Sequence, residues 1–192
     1  FAVLSQTDLA TPGQFGAASL TAAMLDEGAA GKAALALADE VEFLGATLST
    51  GASFDASTVR LSTPAAKLGE ALGLMASVAL TPDFPDRELE RLRAERLTSL
   101  LQARDDTGAL ASLAFPRLLF GPEHRYGTSA NGTETSIKAL AVADLRTYHR
   151  SHYRPDNAVL IVVGDTTPAT LRPLVEQRFG AWKADGPAAA PF

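Results

Sequence analysis

The chain contains no cysteine, so neither a disulfide framework nor a thiolate metal site can be built from it. That absence leaves the compartment open, since cysteine-free proteins occur in all of them. Histidine is scarce, with only His124, His149 and His152. Neither sign of charge dominates. The net charge of −5 is spread along 192 residues, which gives no reason to expect a nucleic-acid partner. No apolar run approaches the ~20 residues of a membrane-spanning helix. Gly164–Asp165 follows a strand-like run but lacks the G-x-G-x-x-G pattern of a phosphate-cradling loop. Ser5, Ser19 and Ser49 have no histidine and acid at a spacing that would support a serine nucleophile. What is present is an ordinary globular content of hydrophobic residues, 46%, enough for a sizeable core and too high for disorder.

The chain begins with Phe1 inside an apolar run and ends in a small-residue and proline tail after Gly186–Pro187. The expected organisation is a single domain over residues 1–186, with 187–192 opening a linker to a further domain. Phe1–Leu4 reads as the end of a strand and Asp8–Gly16 as a turn. Phe15, Ala18, Ala22 and Leu25 share one face of a helix, and Leu20 and Met24 lie one turn apart on another. A helix apolar nearly all round belongs in a core. Ser19 and Ala23 form an i, i+4 ridge beside that face.

A second helix is expected to start at Gly31 and Lys32 and to stop at Gly45. Segments 46–53 and 56–62 read as a hairpin across Phe54–Asp55. Thr63–Pro64 and Thr167–Pro168 each pair a capping hydroxyl with proline at N1. Asp86 is placed as the N-cap of a long charged helix to about Arg104, with Leu89, Leu92, Arg96 and Leu100 along one side. Thr107–Phe120 reads as a helix broken near Pro116, and 143–153 as another. The run 157–163 reads as a continuous buried strand. This order argues an α+β fold, a mainly antiparallel sheet packed with helices.

The motifs, in their order and spacing, resemble the M16 metallopeptidase family of insulinase, pitrilysin and processing-peptidase relatives. The carriers are M-L-x-x-G at Met24–Gly28, Glu42–Ala46, Leu80–Phe84, Phe120–Gly127, Gly132–Ile137, Tyr153–Asn157, Val163–Asp165 and Phe179–Trp182. The resemblance implies the LuxS/MPP-like domain of that family, here from a bacterial zinc protease. It also implies a metal site whose residues are missing. The family's H-x-x-E-H histidines fall on Ser19 and Ala23, its catalytic glutamate on Ala22, and its third ligand at about Leu100. These four degenerate positions leave no catalytic residue and no metal ligand in this domain.

The implied function is therefore that of an inactive M16 domain. It would wall a clam-shell chamber, help to bind unfolded or short peptide, and support an active half carrying H-x-x-E-H in the same chain or in a partner subunit. Zinc is expected only in that half. Peptide would pair with an exposed strand at Ala46, Thr47, Leu48, Ser49 and Thr50. The setting would be a bacterial periplasm or cytoplasm. Two other readings stand beside it: an active metal-dependent endopeptidase using His149, His152 and an acid, and a pure assembly subunit without peptide contact. His124 is expected to anchor its loop. Asp26 is expected near the end of the first helix, facing solvent or a neighbouring turn.

Overall fold

The structure is a computed structural model that describes residues 2–3, 14–122 and 124–184. The turn expected at Asp8–Gly16 falls largely outside those residues, as do Ser5 and the linker at 187–192.

The elements run in order as β1 (Ala2–Val3), α1 (Ala17–Met24), β2 (Gly28–Ala29), β3 (Lys32–Ala33), α2 (Ala34–Phe43), β4 (Thr47–Ala52) and β5 (Ser57–Ser62). There follow α3 (Leu68–Leu80), α4 (Asp86–Gln102), α5 (Thr107–Phe120), α6 (Glu134–Ala139), α7 (Val142–His152), β6 (Ala158–Val159) and α8 (Pro168–Phe179). Four strands form an antiparallel sheet in the order β4-β5-β1-β6, and β2 pairs with β3 in a separate hairpin. The fold is α+β, rich in helix, with small antiparallel sheets.

The core lies where α1 meets the sheet, α3 and α7. Leu20, Met24 and Leu25 are wholly buried there with Val59, Val78 and Leu145. Full burial of a leucine or methionine contributes roughly 1.5–3 kcal/mol, so α1 is anchored by three such side chains despite its eight residues. Its start is set by a close crossing with the loop before α6. Gly16 has φ +93° and Gly132 φ +86°. A Cβ on Gly16 would meet the Asn131 carbonyl at 2.8 Å, and one on Gly132 the Phe15 carbonyl at 2.4 Å. Only glycine fits either position.

Local signals that depend on a few adjacent residues read correctly. Thr167 caps α8 with Pro168 in the first turn, and Thr133 and Ser136 form a reciprocal box at the start of α6. Gly45 takes φ +62° just past α2.

Other expectations are corrected. The second helix starts at Ala34, because Ala30 and Gly31 take positive φ and turn β2 back on β3. Pro85 occupies the N-cap of α4, and Asp86 sits in the first turn, where its charge meets the helix dipole. A short 3-10 turn at Ala65–Lys67 separates Thr63–Pro64 from α3, so Thr63 caps nothing and its hydroxyl is buried without a partner. α5 continues through Pro116 to Phe120. The strand expected over 157–163 is laddered only at Ala158–Val159, against the two residues of β1. Beyond them residues 160–163 line an open pocket together with Leu68, Leu72 and Met75 of α3, and Ile161 and Val163 are exposed.

Candidate functional site

The ridge of α1 is closed by a guanidinium. Arg96 of α4 donates from Nη1 to Ser19 Oγ and from Nη2 to the Ser19 carbonyl, both at 2.8 Å. The Ser19 hydroxyl has carbonyl acceptors at Gly16 (3.1 Å) and Ala130 (3.0 Å), so it accepts from Arg96 while donating to the helix start or the following loop. A helical carbonyl points along the axis toward the residue four positions on. Binding the Ser19 carbonyl therefore places the guanidinium on the line from Ser19 to Ala23. Burial lowers the pKa of Arg96, partly offset by Glu95, yet an arginine keeps its charge at any ordinary pH.

The structure thus brings Ser19 and Ala23 to one ridge, with Ala22 wholly buried behind it and α4 alongside. Leu100 lies one turn beyond Arg96 on α4. One hydroxyl, already bonded, and two methyl groups offer no set of lone pairs to a metal, and a fixed positive charge repels one. Among the described residues, no group of three or more histidine, aspartate or glutamate side chains is arranged to hold a metal ion.

The sequence reading overlooked Arg96. Its signal was a charge inside the otherwise apolar stripe Leu89, Leu92, Leu100, which is what a side chain with a buried polar partner looks like.

β4 lies at the edge of the sheet, packed against α1 and paired on one side with β5 from Thr47↔Ser62 to Ala52↔Ser57. Of the five residues expected as a peptide-binding strand, Thr47, Leu48, Ser49 and Thr50 are in β4. Ala46 precedes it and donates its N–H to the Val41 carbonyl at 3.0 Å. Next to β4 is a cavity of about 410 Å³ lined by Asp26, Leu37, Val41, Thr47, Leu48 and Leu74. Asp26 faces this cavity and accepts a long bond, 3.4 Å, from Thr50 Oγ1. Burial raises its pKa, Glu27 adds to that, and hydrogen bonds from the backbone and Thr50 oppose it.

The three histidines are structural. His124 accepts from the Tyr126 N–H at 3.2 Å, stacks on Phe120, and so starts the short turn that lets Tyr126 donate to Asp55 at 2.6 Å. This clips the loop to the β4–β5 hairpin. His149 Nε2 lies 2.9 Å from the Ala79 carbonyl with its ring on Tyr153, while the His152 ring stacks on Tyr148. The two rings pair with different aromatic residues and do not converge.

These features agree with comparisons to known proteins. The family model described as the peptidase M16 inactive domain matches residues 139–192. A crystal structure of a peptidase M16 inactive domain from Pseudomonas fluorescens has a TM-score of 0.88 and 32% identity, over 99% of this chain and 46% of that one.

The chain belongs to the M16 peptidase family.

The curated relatives of this M16 domain include a non-peptidase homolog, YmxG, of Helicobacter pylori. It is 26% identical over 157 residues, which is 82% of this chain and 36% of that protein. An uncharacterized zinc protease of Mycobacterium leprae is 28% identical over 121 residues, 63% of this chain and 27% of that protein. The M16 domain described here thus spans about a third of the curated relatives it matches and just under half of the Pseudomonas chain.

Proposed function

We propose that this M16 domain is the inactive wall of a peptidase chamber, that it holds extended peptide along β4, and that it supports an H-x-x-E-H half which carries the zinc. In this reading Ser19, Ala22, Ala23 and Leu100 stand where a working domain has its ligands and base, and the domain itself needs no cofactor.

The observation that carries the reading is the pairing of an open strand edge with a filled metal ridge. Among the described residues β4 has one partner strand, and backbone pairing to a peptide uses only N–H and C=O groups, which survive the loss of a metal. Arg96 occupies the Ser19 ridge from α4 and leaves that edge free.

A second feature supports the contact with another M16 half. α5 has no buried residue, and its Leu110, Leu113, Phe115, Leu118, Leu119 and Phe120 are all exposed, Leu118 to 85%. A helix exposed and apolar round most of its circumference calls for a covering surface. The chamber model provides one in the active half.

Isothermal titration of an extended peptide into the full-length protein tests the peptide role. Thr50→Pro removes one outward-facing edge donor, since the register from the Ser53–Ala56 pair turns the N–H groups of Thr47, Ser49 and Gly51 toward β5 and that of Thr50 away from it. Binding about tenfold weaker, roughly 1.4 kcal/mol, is expected with the fold intact by circular dichroism. Unchanged binding counts against the role of β4. Affinity capture of the full-length protein with an H-x-x-E-H chain supports the chamber, whereas capture with a membrane complex favours an assembly subunit.

A further inference from the structure

Among the described residues, Arg125 is a buried cation with no carboxylate partner. It is 5% exposed, and its guanidinium lies between two rings, 4.9 Å from the Phe54 centroid and 5.3 Å from that of Phe15. Nη1 donates to Thr128 Oγ1 and to the Ser129 carbonyl, but Nε is buried without an acceptor. Burial pushes its pKa down, with only Tyr148 acting the other way.

Beside Arg125 is a cavity of about 20 Å³, walled by Gln14, the backbone turn from Phe15 to Ala18, Tyr148 and Arg125 itself. Gly16 to Ala18 is the start of α1, whose N-cap is glycine and has no side-chain cap. The first N–H groups of a helix lack partners inside it and lie at the positive end of its dipole. The cavity is therefore bounded by a guanidinium with an unused donor and by an uncapped helix start. A space needs about 10–15 Å³ to admit one water-sized particle, so this one suits a single small species. Water would satisfy a donor and leave the charge unbalanced.

We propose that this cavity is a binding site for one small monovalent anion of the halide class, chloride in practice. The ion would neutralise Arg125, accept from the first turn of α1, and so pin the loop after His124 to the helix that carries Ser19. That loop already crosses α1 at Gly16 and Asn131 and bonds Ser19 through Ala130. The site does not depend on the peptide role of β4.

The test is the thermal midpoint of the full-length protein, titrated with sodium chloride against sodium gluconate at fixed ionic strength. Crystals grown in sodium bromide are examined alongside for anomalous scattering. Chloride and bromide are expected to raise the midpoint saturably, by roughly 2–4 °C once well above Kd, while gluconate does not. Arg125→Met is expected to abolish the difference. A bromine peak is expected in the cavity beside Arg125, and this observation on the unmodified protein decides the matter if the variant does not fold. A midpoint that fails to distinguish chloride from gluconate, or an ordered cavity without a bromine peak, overturns the proposal.

Discussion

The Ser19–Arg96 pair can be weighed by a double-mutant cycle. Ser19→Ala removes the acceptor of Arg96 Nη1 at 2.8 Å and the hydroxyl that donates to Gly16 or Ala130. The bond from Nη2 to the Ser19 carbonyl remains. A hydrogen bond to a charged group contributes about 1.5–3 kcal/mol, and a buried donor left unpaired costs about 1–3 kcal/mol. These overlap for one lost bond, so Ser19→Ala is expected to destabilise by about 2 kcal/mol.

Arg96→Met removes both bonds but also removes the cost of keeping a cation away from water. It retains most of the apolar stem, and the Ser19 carbonyl stays in the helix ladder. A loss of about 1 kcal/mol is expected. In the double variant no guanidinium is left without its acceptor, so the two losses should sum to at least ~1 kcal/mol more than the double variant shows. Urea denaturation with unchanged slope reads the three values. Losses that add to within ~0.5 kcal/mol would mean that Ser19 and Arg96 act independently, and the account of the closed ridge would fail.

Two further outcomes follow from the same geometry. Burial holds His149 below its ordinary value of 6.5, against the smaller upward pull of the Ala79 carbonyl. A depressed folded pKa means that its neutral form contributes fully above 6.5, and that stability is lost as pH falls through the folded value. The urea midpoint should fall from about pH 7.5 to about pH 5.5, and less steeply in His149→Gln; equal slopes would remove His149 from the account. The second outcome concerns a metal graft of Ser19→His, Ala22→Glu, Ala23→His and Leu100→Glu. With Arg96 retained it should bind zinc poorly, since a unit charge about 5 Å from a divalent ion costs on the order of 5 kcal/mol at an effective dielectric constant of 20. Adding Arg96→Gln should tighten binding at least ~10-fold in a chelator competition assay; no change would show that the arginine is not what excludes the metal.

The cap of α8, the glycine past α2 and the apolar faces of α1 were readable because each depends on residues within a turn of one another. The order of the family motifs was readable for the same reason. Asp86 and Thr63 did not become caps, because the chain before α3 and α4 folds differently. The start of α2 shifted through pairing. Lys32 joins a two-residue ladder with Ala29 before α2 can start. Asp26 was expected to face solvent or a turn and instead faces a cavity, because α2 and β4 close over it from parts of the chain that lie later in sequence.

By itself, then, the sequence determined the chemistry available on the α1 ridge. A ridge of Ser19 and Ala23 with Ala22 beside it has no metal ligands and no base, and that follows from side-chain chemistry whatever the fold. Only the tertiary structure decided what occupies the ridge instead. Arg96 lies 77 residues from Ser19, and its partner depends on how α4 packs across α1. The same holds for Arg125, whose isolation between Phe15 and Phe54 comes from three distant segments meeting. Residue chemistry is local and can be read along the chain, whereas burial of a charge is a property of everything folded around it.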